Sequence, residues 1–160
     1  MNQIVGRGMP MEDSANAKPG AVDVRTVRPR TTPYNAPELF ASRMAGHDKR
    51  ASGDPFGRQN FGVNLPRLHR SGESALLHRH SQQDEFTDVL GRRPTLVIEQ
   101  DEIELAPGMY AGHRAGGAPF LIVNRTTADV VCLEVGDRSE GDQGSYPSND
   151  LAATLGPDGR

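Results

Sequence analysis

Between Phe61 and Val135, apolar and polar residues alternate in short runs, and turn-forming residues separate the runs. Alternation with a period of two marks strands that bury one face. The pattern predicts strands at 61–69, 74–80, 85–90, 95–99, 102–105, 109–113, 119–124 and 129–135. Breakers lie between them: Ser71-Gly72, the turn Ser81 to Asp84, Gly91 to Pro94, Gln100-Asp101, Pro107-Gly108, Ala115 to Gly117, and Arg125-Thr126. Strand starts recur about every 8–12 residues, the spacing of a small barrel or sandwich. No stretch in this region carries a long 3.6-residue apolar period. Pro66 cannot donate to a ladder, so it marks an edge strand or a bulge. The expected fold class is all-β, an antiparallel barrel of about six to eight strands over residues 58–138.

The flanks read differently. Residues 1–33 are rich in Gly, Pro, Ser, Arg and Asn, and are expected to be a disordered tail. Residues 34–43 offer a short helical turn or an edge segment, and 47–58 read as a polar loop. From Asp137 onward Gly, Ser, Asp and Pro return, and 146–160 reads as a C-terminal tail. The barrel domain with its N-terminal arm is thus expected over 34–145.

The chemistry concentrates between Gly72 and Gly91. His78 and His80 are two residues apart, so on a strand they share one face. Glu85 follows a polar turn and opens the next strand. Two imidazoles and a carboxylate from neighbouring strands can converge on one divalent ion such as Fe, Mn, Ni or Zn. A lone strand histidine is ordinarily a satisfied or exposed residue, and the spacing sets this pair apart. Asp84 opposes Glu85 in parity and reads as a turn residue. Glu99, Asp101, Glu102 and Glu104 read as a solvated hairpin face. His47 and His69 have no partner in the sequence and read as surface residues. Arg79 and Arg114 could draw an anionic substrate to the mouth, although Arg79 alternates with the histidines and is expected to point away. The inward faces of the strands suggest a mostly apolar pocket of Leu76, Val89, Met109 and Phe120 for a small organic ligand.

Composition narrows the functional classes. Hydrophobic residues make up 35% of the 160, and no apolar run is long enough to span a bilayer. The N-terminus lacks a basic start followed by an apolar run, so a cytoplasmic location is expected. A net charge of −3 argues against a nucleic-acid partner. The single cysteine, Cys132, excludes an internal disulfide and a cysteine-based zinc site, and reads as a buried strand residue. There is no Ser-His-Asp pattern, phosphate loop or CxxC. The basic cluster Arg25, Arg28 and Arg30 reads as part of a solvated tail.

The run from Gly72 through His78, His80 and Glu85 resembles the first motif of the cupin superfamily. The next glycine, Gly91, comes one residue earlier than in that family. The segments FGVNL (61–65), HSQQDEF (80–86), LAPGM (105–109), IVNR (122–125), LEVGDR (133–138) and YPSNDL (146–151) are similar to small bacterial single-domain cupins. The resemblance implies a double-stranded β-helix, or jelly roll, holding a divalent metal. In the family's second motif Gly116 and Asn124 fit, but Arg114 replaces a proline and Phe120 stands where a fourth ligand, a histidine, is expected. Three readings stay open: a site of His78, His80 and Glu85 alone; a site in which His113 substitutes for the missing ligand; and no useful metal site. The resemblance implies a small-molecule enzyme of isomerase, epimerase or dioxygenase type. Its competitor is a degenerate, non-catalytic cupin that binds or senses a small ligand. Pairing through edge strands implies a homodimer, because exposed edges must be covered.

Overall fold

A computed structural model describes residues 19–30, 46–149 and 151–154. The expected helical turn or edge segment at 34–43 lies outside them. The strands are β1 (His47–Arg50), β2 (Phe61–Leu68), β3 (Arg79–His80), β4 (Glu85–Gly91), β5 (Thr95–Ile98), β6 (Asp101–Glu104), β7 (Tyr110–His113), β8 (Phe120–Val123), β9 (Val130–Asp137), β10 (Gln143–Tyr146) and β11 (Leu151–Thr154). All pairings are antiparallel. One sheet runs β1-β2-β9-β4-β7. The opposite wall consists of β6-β5-β8 and β11-β10-β3. The segment before β3 links its two parts through bridges Glu73↔Val123 and His78↔Phe120. The result is the all-β, double-walled antiparallel fold that the alternation predicts.

The inward phase follows from the register. Val89 faces Cys132, Thr87 faces Glu134, and Glu85 faces Gly136 across β4 and β9. Val89, Thr87, Val130, Cys132 and Glu134 are all buried. One half of the interior is an apolar plug of Leu68, Val89, Leu96, Leu105, Ala111, Phe120, Ile122, Val130 and Cys132. Cys132 is 1% exposed, and burial pushes its thiol up to about 12, so it stays a protonated core residue.

Several expectations change. The segment 74–80 forms a ladder only at Arg79–His80. Its backbone is diverted because the Ser74 hydroxyl, not a main-chain carbonyl, accepts the Ile122 N–H at 3.0 Å. His47–Arg50, expected as loop, is a strand paired to β2. Its signal is hidden because it buries Lys49, a charged residue, where alternation looks for an apolar one. The tail after Asp137 contributes β10 and β11. Gln143–Tyr146 lacks apolar alternation and is held by its ladders to β3 and β11. Residues 19–30 run beside the barrel, with Arg30 N–H donating to the Lys49 carbonyl at 2.9 Å. His47 and His69 are not the lone surface groups expected: His47 Nδ1 is buried, and His69 lies 3.4 Å from both Asp48 and Asp129. The acidic hairpin is exposed along all of β6, as expected. Among the described residues no helix is long and apolar enough to cross a membrane.

Candidate metal centre

The first glycine of the histidine motif is required by a close backbone approach. A Cβ on Gly72 would stand 2.0 Å from the Gly46 carbonyl oxygen. From there the chain runs beside β8, and His78 exchanges both backbone hydrogen bonds with Phe120, at 3.2 and 2.8 Å. His78 and His80 then reach the start of β4, where Glu85 enters the barrel. Gly136 is the register partner of Glu85 on β9.

The Nε2 atoms of His78 and His80 stand 3.9 and 3.5 Å from Glu85 Oε2. One ligand atom from each of the three residues lies within 4.8 Å of the others, so the group could hold a metal ion. The other ring nitrogens support this. His78 Nδ1 is 2.8 Å from the Leu76 carbonyl oxygen. His80 Nδ1 is 2.6 Å from Asp142 Oδ2. A carbonyl accepts only, so His78 Nδ1 carries the proton and Nε2 keeps a lone pair for the centre. Asp142 orders His80 the same way. Metal-ligating histidines are held by this arrangement, in which the second nitrogen donates to a carbonyl or carboxylate.

The electrostatics agree. Burial opposes the Glu85 anion, but the His80 bond and the nearby Lys49 and His78 outweigh it and hold the carboxyl at about 2. Burial lowers the pKa of His78, favouring the neutral imidazole. For His80, burial works in the same direction, but the bonds to Glu85 and Asp142 prevail and raise the pKa. A bound cation would act on all three groups and favour the neutral imidazole in both histidines.

Asp142 was missed by the sequence reading, because it lies in the Gly-, Ser- and Asp-rich stretch after Asp137, where no strand was expected. It is fully buried and accepts from Ser81 Oγ, Gln82 N–H and Gln83 N–H as well as facing His80. It therefore ties the start of β10 to the turn between the two candidate ligand segments. The Asp142→Asn variant keeps an acceptor for these donors but presents an amide N–H₂ to His80 Nδ1. That favours the tautomer with the proton on Nε2. Metal affinity is expected to fall roughly 10–100-fold, measured by titration calorimetry, with the melting temperature changed far less.

The other named residues take distinct places. His113 is the register partner of Glu85. Its ring stacks on Phe120 at 3.2 Å between centroids, with the planes 3° apart. Its Nε2 is buried without a hydrogen-bond partner, and burial lowers the pKa to about 4. It is not in the group of converging ligand atoms. Phe120 is 3% exposed and 4.9 Å from the His78 ring, so it forms the wall of the centre. Leu76 is buried, Val89 belongs to the apolar plug, and Met109 lies on the surface at 43% exposure. Asp84 is a turn residue, accepting the Ala115 N–H at 2.7 Å. Asn124 is structural: its Nδ2 reaches the carbonyls of Leu68, His69 and Ala128, closing the loop after β8. Arg79 points away from the histidines, as expected: it is exposed, and its Nε donates to Ser145 Oγ, on its register partner in β10, at 3.1 Å.

The sequence reading also missed Lys49 and Glu134. Lys49 Nζ lies 2.6 Å from Glu134 Oε2, with the side chains 16% and 6% exposed. Glu134 is one inward step along β9 from Gly136, the partner of Glu85. The pair brings a polar, charged layer beside the centre.

No protein-family model matches the sequence, and no curated protein matches it significantly. Solved structures do. The chain is 32% identical to a cupin-superfamily sugar phosphate isomerase from Silicibacter pomeroyi, over 86% of this chain and 87% of that one, with a TM-score of 0.81. The chain belongs to the cupin superfamily. A protein of Acidithiobacillus ferrooxidans, provisionally named a sugar phosphate isomerase, is 29% identical over 71% of this cupin and 72% of its own length, with a TM-score of 0.67. The polyketide cyclase RemF of Streptomyces resistomycificus shares the fold, at 19% identity and a TM-score of 0.60 over 73% of this chain and 78% of that one.

Proposed function

We propose that this cupin is a metal-dependent isomerase of a small hydroxy-carbonyl compound, with a phosphorylated sugar as its substrate. The observation that carries the reading is the triad of His78, His80 and Glu85, whose histidines both turn Nε2 inward because Nδ1 is engaged elsewhere. Similarity to the Silicibacter pomeroyi isomerase supports the reaction class. A divalent ion in this site would supply Lewis-acid polarisation of a carbonyl or enolate oxygen. The chain's own part is to hold that oxygen beside the triad. The stacked rings of His113 and Phe120 exclude water from one side. A ligand set of three residues leaves positions open for water and substrate.

The test is to incubate the metal-loaded protein with a panel of aldose and ketose phosphates in D2O. The expected outcome is ketose–aldose conversion with deuterium entering at the carbon beside the carbonyl, abolished by a chelator and by His78→Ala/His80→Ala. A second reading, a non-catalytic ligand-binding module, is favoured by Phe120, which occupies a wall of the centre with a ring that cannot bind metal. Stoichiometric metal binding with no conversion of any sugar phosphate would decide for that reading.

A further inference from the structure

The five-stranded sheet turns one phase of its residues to the core and the candidate metal centre, and the opposite phase outward. Across β2, β9, β4 and β7 the outward phase reads Val63, Val135, Phe86 and Gly112 in one row, and Leu133, Asp88 and Tyr110 in the next. Leu90 continues it on β4. A sheet that faces water shows mostly polar residues in this phase. Here Asp88 is the only charged side chain in the two rows. Tyr110 is 68% exposed, Leu90 50% and Phe86 39%. The rings of Phe86 and Tyr110 lean on each other, with centroids 5.3 Å apart. Single exposed apolar residues are ordinary, whereas a joined patch marks a contact surface.

The chain shields the β2 end of this face with its own N-terminal segment. Val22, Val24 and Val27 line a cavity with Val63, and Arg50 donates to the Val27 carbonyl. Toward β7, the last strand of the sheet, Phe86 and Tyr110 stay exposed. The shape of this corner fits a copy of itself. Gly112 shares the outward phase with Tyr110, two residues away, and a Cβ on it would meet nothing within 4 Å. A protruding phenol and an empty notch thus stand side by side on one strand. A two-fold axis between them, near Ala111, sets the Tyr110 of each copy over the Gly112 of the other, the reciprocity that an isologous contact requires. The size suffices as well. At a strand spacing of about 4.8 Å and a rise of about 3.3 Å per residue, the four-strand face measures about 20 Å on a side. With a polar rim it approaches the roughly 800 Å² of accessible surface that each partner gives to a standard interface. We propose that the outer face of β9, β4 and β7 is a homodimer interface, on which a second copy of this chain packs the same corner with Tyr110 in the Gly112 notch. The homodimer expected through edge strands thus takes its contact from the sheet face beside the edge, whatever reaction the triad performs.

Sedimentation velocity on the full chain, from roughly 1 to 100 µM, tests the interface. The wild type is expected to pass from monomer to dimer across this range. Tyr110→Ser and Phe86→Ser are each expected to weaken the dimer by roughly tenfold or more. Ile103→Ser, which changes an exposed apolar residue on the opposite wall, is expected to leave it unchanged. Gly112→Val separates contact from fold. Valine suits a strand and meets no neighbour of its own chain, so the melting temperature of the dilute monomer is expected to hold or rise. The filled notch is expected to weaken the dimer by roughly the same factor as the loss of Tyr110. A wild type that stays monomeric at the highest concentration would overturn the proposal. So would a dimer indifferent to Tyr110→Ser and Gly112→Val, or one lost equally in Ile103→Ser.

Discussion

Alanine at both His78 and His80 is expected to abolish metal uptake, taking the metal content of the purified protein from near one per chain to background. The loss should be complete rather than graded, because Glu85 alone retains one donor and the next carboxylate, Asp142, faces the other side of His80. Phe120→His is the opposite arm. The Phe120 backbone bridges His78, and its ring lies 4.9 Å from the His78 ring, so an imidazole at this position enters the same neighbourhood. It is expected to raise affinity for Zn(II), Ni(II) and Mn(II) by adding a fourth ligand. His113→Ala should change affinity little, since His113 stacks on Phe120 outside the converging group. Calorimetric titration of these ions into the apo variants separates the cases. Metal retained at full stoichiometry in the double alanine variant would remove the triad from consideration, and loss in His113→Ala would make His113 a ligand.

Replacing Lys49 by methionine should be the most destabilising single change in the polar half of the barrel. It leaves the Glu134 carboxylate buried without its counter-ion, and removing one member of a buried pair costs about 3–5 kcal/mol. Burial raises the pKa of Glu134, and Lys49 holds part of that rise in check. In the variant the pKa climbs further, so the folded state binds a proton that the unfolded chain releases near its ordinary value of 4.5. The sign follows from linkage: stability is lost as pH rises above 4.5 through the folded-state pKa, and the deficit shrinks as pH falls back toward 4.5. Denaturant melts of wild type, Lys49→Met and Lys49→Met/Glu134→Gln across that range measure it. The double variant should recover much of the loss, because the glutamine carries no charge to bury. A single variant as stable as wild type at neutral pH would show that the pair is solvated and that Glu134 is not confined as described.

The fold class and the convergence of His78, His80 and Glu85 were legible in the chain itself. Both rest on local periodicity: a strand turns every second side chain to one face, so the runs from Phe61 to Val135 reveal a two-walled barrel, and His78 with His80 must point together. Glu134 was legible in part, since it continues the inward phase of Val130 and Cys132, but a charged residue there contradicts the apolar rule and hides the signal. Its partner Lys49 lay in a segment with no apolar alternation. Asp142 could not be read at all. Its bond to His80 spans 62 positions of sequence, and only the pairing of β10 with β3 brings the two together. The same holds for the stack of His113 on Phe120, whereas Arg79 lies on the outer face beside Ser145, where its parity with His78 and His80 puts it. The candidate ligand set is thus local chemistry written in spacing. The tautomers, charge and walls of the centre come from contacts between strands far apart in the chain, which no local pattern encodes.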